Sequence, residues 1–135
     1  MCFQDLYSTF IDISKLDDSL TRLKALKRLI RRLPDVNFAT MRFVCRHLTK
    51  IVANSDVNKM EVKNLAIVFG PTLVRASEDN MMSMITDMGQ QCRIIESILS
   101  NCDWFFSYED AGDLEVGLSL LIYVHLCMLW RSLVP

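Results

Sequence analysis

Apolar residues recur at steps of three and four in the first third of the chain, which is the period of one face of an α-helix. This stripe consists of Leu16, Leu20, Leu23, Leu26, Ile30 and Leu33. Asp17, Asp18 and Ser19 lie at its start and are candidate N-caps, since short polar side chains accept hydrogen bonds from the first free backbone N–H groups. Pro34 is expected to end this helix.

Two further stripes follow the same period. We expect a second helix to begin near Asn37 as its cap, and a polar loop at Asn54–Asn58. The buried stripe of that helix would be Phe38, Met41, Cys45, Leu48 and Ile51 or Val52. A methionine-rich segment later resumes the helical period until Gly89, which we expect to break it. A last amphipathic helix is marked by Cys92, Ile95, Ile98 or Leu99, and Cys102.

The run Leu65–Phe69 is too short for its period to decide between strand and helix. Gly70 and Pro71 follow it directly and are expected to end it in either case. No alternation of period two is sustained elsewhere, and no internal repeat is visible. The pattern as a whole predicts an all-α bundle.

Composition fits a single domain of 135 residues, with 51% apolar residues, 23% charged residues and a net charge of -1. The charge is uneven. Residues 15–50 contain ten Lys and Arg against three acidic residues, whereas residues from 51 onward contain five against eleven. A globally basic nucleic-acid binder is therefore not expected. The basic positions of the first predicted helix are Arg22, Lys24, Lys27, Arg28, Arg31 and Arg32.

That basic helix has a pattern shared with calmodulin targets and membrane-surface helices. We favour a solvated outer face of the bundle, which would still be able to steer an acidic protein partner.

Residues with catalytic or metal-binding chemistry are scattered. The five cysteines are Cys2, Cys45, Cys92, Cys102 and Cys127, and the two histidines are His47 and His125. No spacing typical of a zinc site occurs, so we expect no metal. No catalytic constellation and no Gly-rich phosphate loop occurs in the sequence either, so we expect no cofactor and no catalytic residues of the chain's own. Cys45 lies on an apolar stripe and is interpreted as a buried structural thiol. Four methionines, Met81, Met82, Met84 and Met88, would form either an adaptable binding surface or, as is more common, part of the core.

One segment carries more information than its period. The run from Asn64 to Arg75, Asn-Leu-Ala-Ile-Val-Phe-Gly-Pro-Thr-Leu-Val-Arg, resembles the signature of the RhoGAP family, the GTPase-activating domains for Rho-type small GTPases. Its context is also similar. Residues 17–34 resemble that family's helix ending in Leu-Pro, residues 38–53 resemble the next helix, and Asn58-Lys-Met leads into the signature. The resemblance extends from about Cys2 to Phe106, and it is strongest to large RhoGAP proteins that also carry PDZ and pleckstrin-homology domains.

The resemblance implies an all-helical fold and assigns Leu65–Phe69 to a helix. It also implies that Asn64 lies on the face that meets the switch regions of the GTPase, a task that suits an amide because it both donates and accepts hydrogen bonds. Pro71 is expected to shape the turn after that helix, near the same face. The implied partner is a Rho-type small GTPase of the Rho, Rac or Cdc42 class, and the chain would act as a cytoplasmic module in signal transduction.

The sequence departs from the family in one respect. The family inserts an arginine finger from a Gly-Ile-Phe-Arg-like loop, followed by Leu-Pro-Glu-Pro, and neither segment occurs in these 135 residues. We therefore expect residues 1–106 to form an incomplete RhoGAP-like bundle that is weak or inactive as a GTPase activator. A finger supplied in trans is worth roughly 10³–10⁵ in rate. The alternative is a helical interaction or membrane-associated fragment that does not bind a GTPase productively.

The carboxyl-terminal part lies outside the resemblance. Residues 107–115 are acidic and are interpreted as a linker, and residues 116–135 form an apolar tail, predicted to be an extra helix. Its uncharged run, Val116–Trp130, would be about 22 Å long as a helix, against roughly 30 Å of bilayer hydrocarbon. Three interpretations remain: the tail covers an apolar groove of the bundle, it partitions into membranes through residues 116–134, or it is an alternative transcript end without a role. We rank a helix that spans the membrane below the groove-covering and transcript-end interpretations, and we do not favour peripheral membrane contact.

Overall fold

A computed structural model of the chain describes residues 3–76 and 81–107. Within these residues the secondary structure is helical throughout, without a strand, which confirms the predicted all-α class. The helices are α1 (Phe3–Ser14), α2 (Ser19–Ile30), α3 (Asp35–Val52), α4 (Ser55–Asn58), α5 (Val62–Leu73), α6 (Met81–Ser100) and α7 (Cys102–Phe105). The predicted carboxyl-terminal helix at 116–135 and most of the acidic linker lie outside the described residues.

The core lies around α6, which packs against α1, α3, α5 and α7. Its interface with α5 is the most extensive in the described part of the chain. The largest side chains with almost no solvent exposure are Phe10, Phe105, Phe106, Leu26, Ile30, Leu48, Ile94, Ile95 and Ile98. They come from α1, α2, α3, α6 and the α7 region, so one shared core holds these helices together.

Helix α1 was not predicted from the sequence pattern. Side-chain hydrogen bonds connect it to α6. The Tyr7 hydroxyl donates to Asp87 at 2.9 Å and accepts from Gln91 Nε2 at 3.1 Å. Ser14 Oγ donates to Gln90 at 2.8 Å. Desolvation and the hydrogen bond to Asp87 raise the pKa of Tyr7 to about 12. These bonds fix α1 on the first half of α6.

Helix α2 begins where its caps were predicted. Asp18 is the N-cap, and its Oδ2 accepts a hydrogen bond from the backbone N–H of Thr21 at 2.7 Å. This bond lowers the pKa of the Asp18 carboxyl. Within the predicted apolar stripe, Leu26 and Ile30 are buried, whereas Leu20 at its start is 58% exposed. The helical period shows which residues align, whereas burial also needs a neighbouring element.

Helix α3 begins at Asp35 after Pro34, which occupies the N-cap position in an extended conformation. The predicted cap at Asn37 was therefore wrong by three residues. A proline at this place supplies a fixed φ at the entry to the helix, where no internal N–H bond is lost. Cys45 has no solvent exposure, and burial raises the pKa of its thiol, which confirms a buried structural thiol.

Two predicted breaks are helical in the structure. The expected loop at Asn54–Asn58 contains the single turn α4, which ends at Lys59 in a left-handed conformation with φ 60°. Gly89 does not break a helix, because α6 runs through it from Met81 to Ser100. A helix-interior glycine costs about 1 kcal/mol, which the tertiary contacts of a long helix can offset. Between residues 3 and 107, leaving out the undescribed 77–80, no helix is long and apolar enough to cross a membrane.

Candidate functional site

The two sides of α5 have different environments. Leu65, Ala66 and Gly70 are buried against the bundle. The positions 64, 67, 68 and 71 follow steps of three and four, so they share the opposite side of the helix. We call Asn64, Ile67, Val68 and Pro71 the α5 outer face. Ile67 is 54% exposed and Val68 is 58% exposed, so the face combines an amide with apolar side chains open to solvent.

Asn64 is exposed, as its predicted role requires. Its Nδ2 donates a hydrogen bond to the backbone carbonyl of Lys59 at 3.2 Å. Lys59 is the left-handed residue that precedes α5. An asparagine amide has two N–H donors and one carbonyl acceptor, so this bond orients the side chain and leaves one donor and the acceptor for an external partner.

Pro71 lies inside α5, and the predicted turn after Gly70 was wrong. The helix continues to Leu73, and the Val74 N–H closes its last turn on the Gly70 carbonyl at 2.9 Å. A proline at 71 removes the N–H that would reach the Ile67 carbonyl, and its ring crowds that carbonyl. That carbonyl lies on the half of α5 that is open to water, which can satisfy it at low cost. Pro71 is half-buried and remains on the same face as Asn64.

Gly70 fixes the position of α5 on α6. A Cβ atom built at Gly70 would lie 2.9 Å from the Cys92 backbone nitrogen and 3.0 Å from the Gln91 carbonyl carbon. The two backbones therefore meet without an intervening side chain. Since this contact leaves little freedom for tilting, it holds the α5 outer face at a defined position on the bundle.

A second apolar surface lies at the start of α6. The exposed side chains there are Met81, Met82, Met84, Ile85 and Met88. The preference for core filling by these methionines was therefore wrong, and the adaptable-surface alternative fits their exposure. Ile67 and Val68 were not predicted to belong to the site, because an apolar run is usually interpreted as buried. Ile67 and Val68 lie three and four residues after Asn64, and this spacing could have assigned them to the same face of the helix.

The part of the chain that the structure describes contains no group of three or more His, Cys, Asp or Glu side chains arranged for a metal ion. The described histidine, His47, is exposed on α3. The chemistry of the site therefore consists of one oriented amide and a small apolar surface, which suits recognition of a protein surface.

Comparisons with known proteins agree with this fold. The RhoGAP domain model matches residues 1–78. The chain is 51% identical over 109 residues to Rho GTPase-activating protein 21 of Mus musculus, and this covers 81% of the chain and 6% of that protein. It is 48% identical over 110 residues to Rho GTPase-activating protein 23 of Mus musculus, covering 81% and 7%. The chain thus spans only a small fraction of the length of these relatives.

A solved structure shows the same architecture. The crystal structure of human Rho GTPase activating protein 15 superposes with a TM-score of 0.69 at 39% sequence identity. The similarity covers 76% of this chain and 48% of that one. The helical arrangement described above is therefore shared with a solved protein of the same type.

Proposed function

Because this chain belongs to the RhoGAP family, we propose that it binds a Rho-type small GTPase through the α5 outer face and acts in small-GTPase signalling. The family consists of regulators of partner GTPases. The partner would be of the Rho, Rac or Cdc42 class. It would supply the nucleotide, the magnesium ion and the attacking water, while the chain supplies a binding surface.

The observation that carries this proposal is the exposure and orientation of Asn64. The bond to the Lys59 carbonyl holds the amide in place, and Ile67 and Val68 provide exposed apolar area beside it. An interface of this kind joins an apolar centre to a few oriented polar groups. Each oriented side chain also lowers the entropy cost of binding, because it is already ordered before the partner arrives.

We further propose that a polypeptide of these 135 residues accelerates GTP hydrolysis weakly or not at all. Its sequence contains no Gly-Ile-Phe-Arg-like loop to supply the arginine finger. A cation at the transferring phosphoryl group stabilises charge that a neutral amide such as Asn64 cannot match. Binding and activation would then be separable in this chain.

The binding experiment is a titration of the chain with Rho, Rac and Cdc42 proteins, each loaded with a non-hydrolysable GTP analogue. We expect measurable binding to at least one of them, with a loss of at least tenfold in affinity for Asn64→Ala. The matched control is Asn54→Ala, because Asn54 is also exposed and its Nδ2 also donates to a backbone carbonyl, that of Lys50, at 3.0 Å. Equal affinities for the wild-type chain and Asn64→Ala would contradict the proposed face.

The activation experiment is a single-turnover measurement of GTP hydrolysis with the same three GTPases. We expect less than tenfold acceleration at saturating concentrations of the chain. Acceleration of a thousandfold or more would contradict the second proposal without touching the first. Absence of binding to all three GTPases would favour the alternative, a helical interaction or membrane-associated fragment.

A further inference from the structure

A basic cleft lies beside α2, on elements other than the α5 outer face. It has a volume of about 300 Å³ and is lined by Lys24, Lys27, Arg28, Arg31 and Trp104. Lys24, Lys27 and Arg28 occupy positions i, i+3 and i+4 of α2, and Arg31 is the C-cap residue of that helix at i+7, so the four charges share one side. Trp104 of α7 forms the opposite wall. We call this set the α2 basic cleft.

One wall of the α2 basic cleft is held in place by internal contacts. The Lys27 ammonium donates a hydrogen bond to the Trp104 carbonyl, and its Nζ lies 4.3 Å from the centroid of the indole ring. It also lies 3.4 Å from Ser107 Oγ. The position of Lys27 is therefore fixed without a carboxylate, and Trp104 remains 42% exposed toward the cleft and solvent.

The positive charge of the cleft is weakly compensated by the described residues. Lys24 and Arg28 have no carboxylate within ion-pair distance there, and the ion pair that the structure records joins Lys15 to Asp12 at 3.7 Å. Asp18 interacts electrostatically with Lys24, but its carboxylate is engaged as the N-cap of α2, where it accepts a hydrogen bond from the Thr21 N–H. Lys24 and Arg28, which lie on one concave surface without a carboxylate partner at ion-pair distance among the described residues, raise the local concentration of anions.

We propose that the α2 basic cleft binds a compact, multiply phosphorylated anion of the inositol phosphate class, either free in solution or as a lipid headgroup. The volume suits one ring-sized ligand, because small-molecule sites begin at about 300 Å³. Guanidinium and ammonium groups form charge-assisted hydrogen bonds with phosphate oxygens. The part of the Trp104 indole that Lys27 does not cover provides apolar contact for the ring of the ligand.

The sequence after Ser107 is acidic, with Glu109, Asp110, Asp113 and Glu115. An anion site is tested most strictly in a chain that carries its own carboxylates, so the experiment uses the full 135-residue chain.

The test is a calorimetric titration of the full chain with inositol 1,4,5-trisphosphate in 0.1 M salt. We expect one-to-one binding in the micromolar range, and a loss of at least tenfold for the double variant Lys24→Gln/Arg28→Gln. The control is Lys50→Gln/Lys63→Gln, which removes the same charge from exposed lysines on α3 and α5. We expect the control to stay within twofold of the wild-type chain. No binding by the wild-type chain, or equal losses in both double variants, would overturn the proposal.

A vesicle arm distinguishes the two sources of the ligand. Phosphatidylcholine vesicles with 5% phosphatidylinositol 4,5-bisphosphate are compared with vesicles that carry the same charge as phosphatidylserine. Preference for the phosphoinositide vesicles, lost in Lys24→Gln/Arg28→Gln, supports a lipid headgroup. Trisphosphate binding without this preference supports a free ligand. Equal binding to both vesicles without trisphosphate binding overturns the proposal. Because the cleft lies off α5, the same double variant is expected to leave GTPase binding unchanged, so this proposal and the proposed function fail independently.

Discussion

The two halves of α6 are both rich in apolar residues, yet they have opposite environments. In the first half, Met81 is 76% exposed and Ile85 is 70% exposed, whereas in the second half Ile94, Ile95 and Ile98 have no exposed surface. The second half meets the backbone of α5 at Gly70 and faces the shared core. The first half is held to α1 by the polar bonds of Asp87 and Gln90, while its methionines face outward.

This difference shows that hydrophobic content does not decide burial by itself. Burial contributes roughly 25 cal/mol per Å² only where another element removes the surface from water. The second half of α6 has such neighbours on several sides. The apolar side chains of the first half lack them within the described residues. A stability measurement should therefore separate the two halves clearly.

The largest effect is expected for Ile95→Ala, compared with Ile85→Ala as its matched control on the same helix. Removing three buried carbon atoms at Ile95 leaves a cavity in the core, so we expect a loss of about 2–5 kcal/mol in the free energy of unfolding. At Ile85 the change should stay within about 0.5 kcal/mol. Urea unfolding followed by circular dichroism measures the free energy of unfolding of both variants. Similar losses in the two variants would contradict the difference between the two halves of α6.

A smaller effect, with a change of sign, is expected from Gly70→Ala and Gly89→Ala. At Gly70 the new methyl group meets the backbone of Cys92, so the helices have to separate, and we expect a loss of about 1–3 kcal/mol. At Gly89 nothing lies within 4 Å of the new atom, so we expect a gain of up to about 1 kcal/mol from helix propensity. Thermal unfolding of the two variants gives the signs. A stabilising change at Gly70 would contradict the close approach of α5 and α6.

The smallest effect concerns the polar contact of α1 with the first half of α6. Tyr7→Phe removes the bonds to Asp87 and Gln91, and we expect a loss of about 0.5–1.5 kcal/mol in unfolding free energy. The native pKa of Tyr7 is about 12, above its ordinary value of 10.0. Its stabilising contribution should therefore be complete below pH 10 and decline as the pH rises toward 12. The wild-type chain should show this decline in alkaline unfolding curves more strongly than Tyr7→Phe.

Helices α2, α3 and α6 followed from their period, although α6 was predicted as two segments separated at Gly89. Asp18 was predicted as a cap because it precedes an apolar stripe, and the bond to Thr21 confirms it. Met41, Cys45 and Leu48 were predicted to be buried and are buried. A helix cap and the buried side of a helix depend mainly on the sequence of their own segment, so both could be predicted from it.

The errors occurred where a neighbouring element decides the outcome. Gly70 and Pro71 were expected to end a helix, but packing of the glycine against Cys92 holds the helix past both residues. Met81 and Met82 are exposed because no described helix packs over them, and the sequence of their own segment does not determine this packing. The position of Asn64 was implied by family resemblance, while its bond to Lys59 required the folded chain.

That bond joins a turn to a surface. Lys59 adopts a backbone conformation that few residues other than glycine hold readily, and the carboxamide of Asn64 restrains it through the carbonyl. A molecule that binds the carboxamide would also stabilise the conformation of the turn. A change in the turn would in return alter the affinity for that molecule. Thermodynamic reciprocity would make the two influences equal in size, so a change in the loop between α4 and α5 would alter the affinity for a partner bound at Asn64.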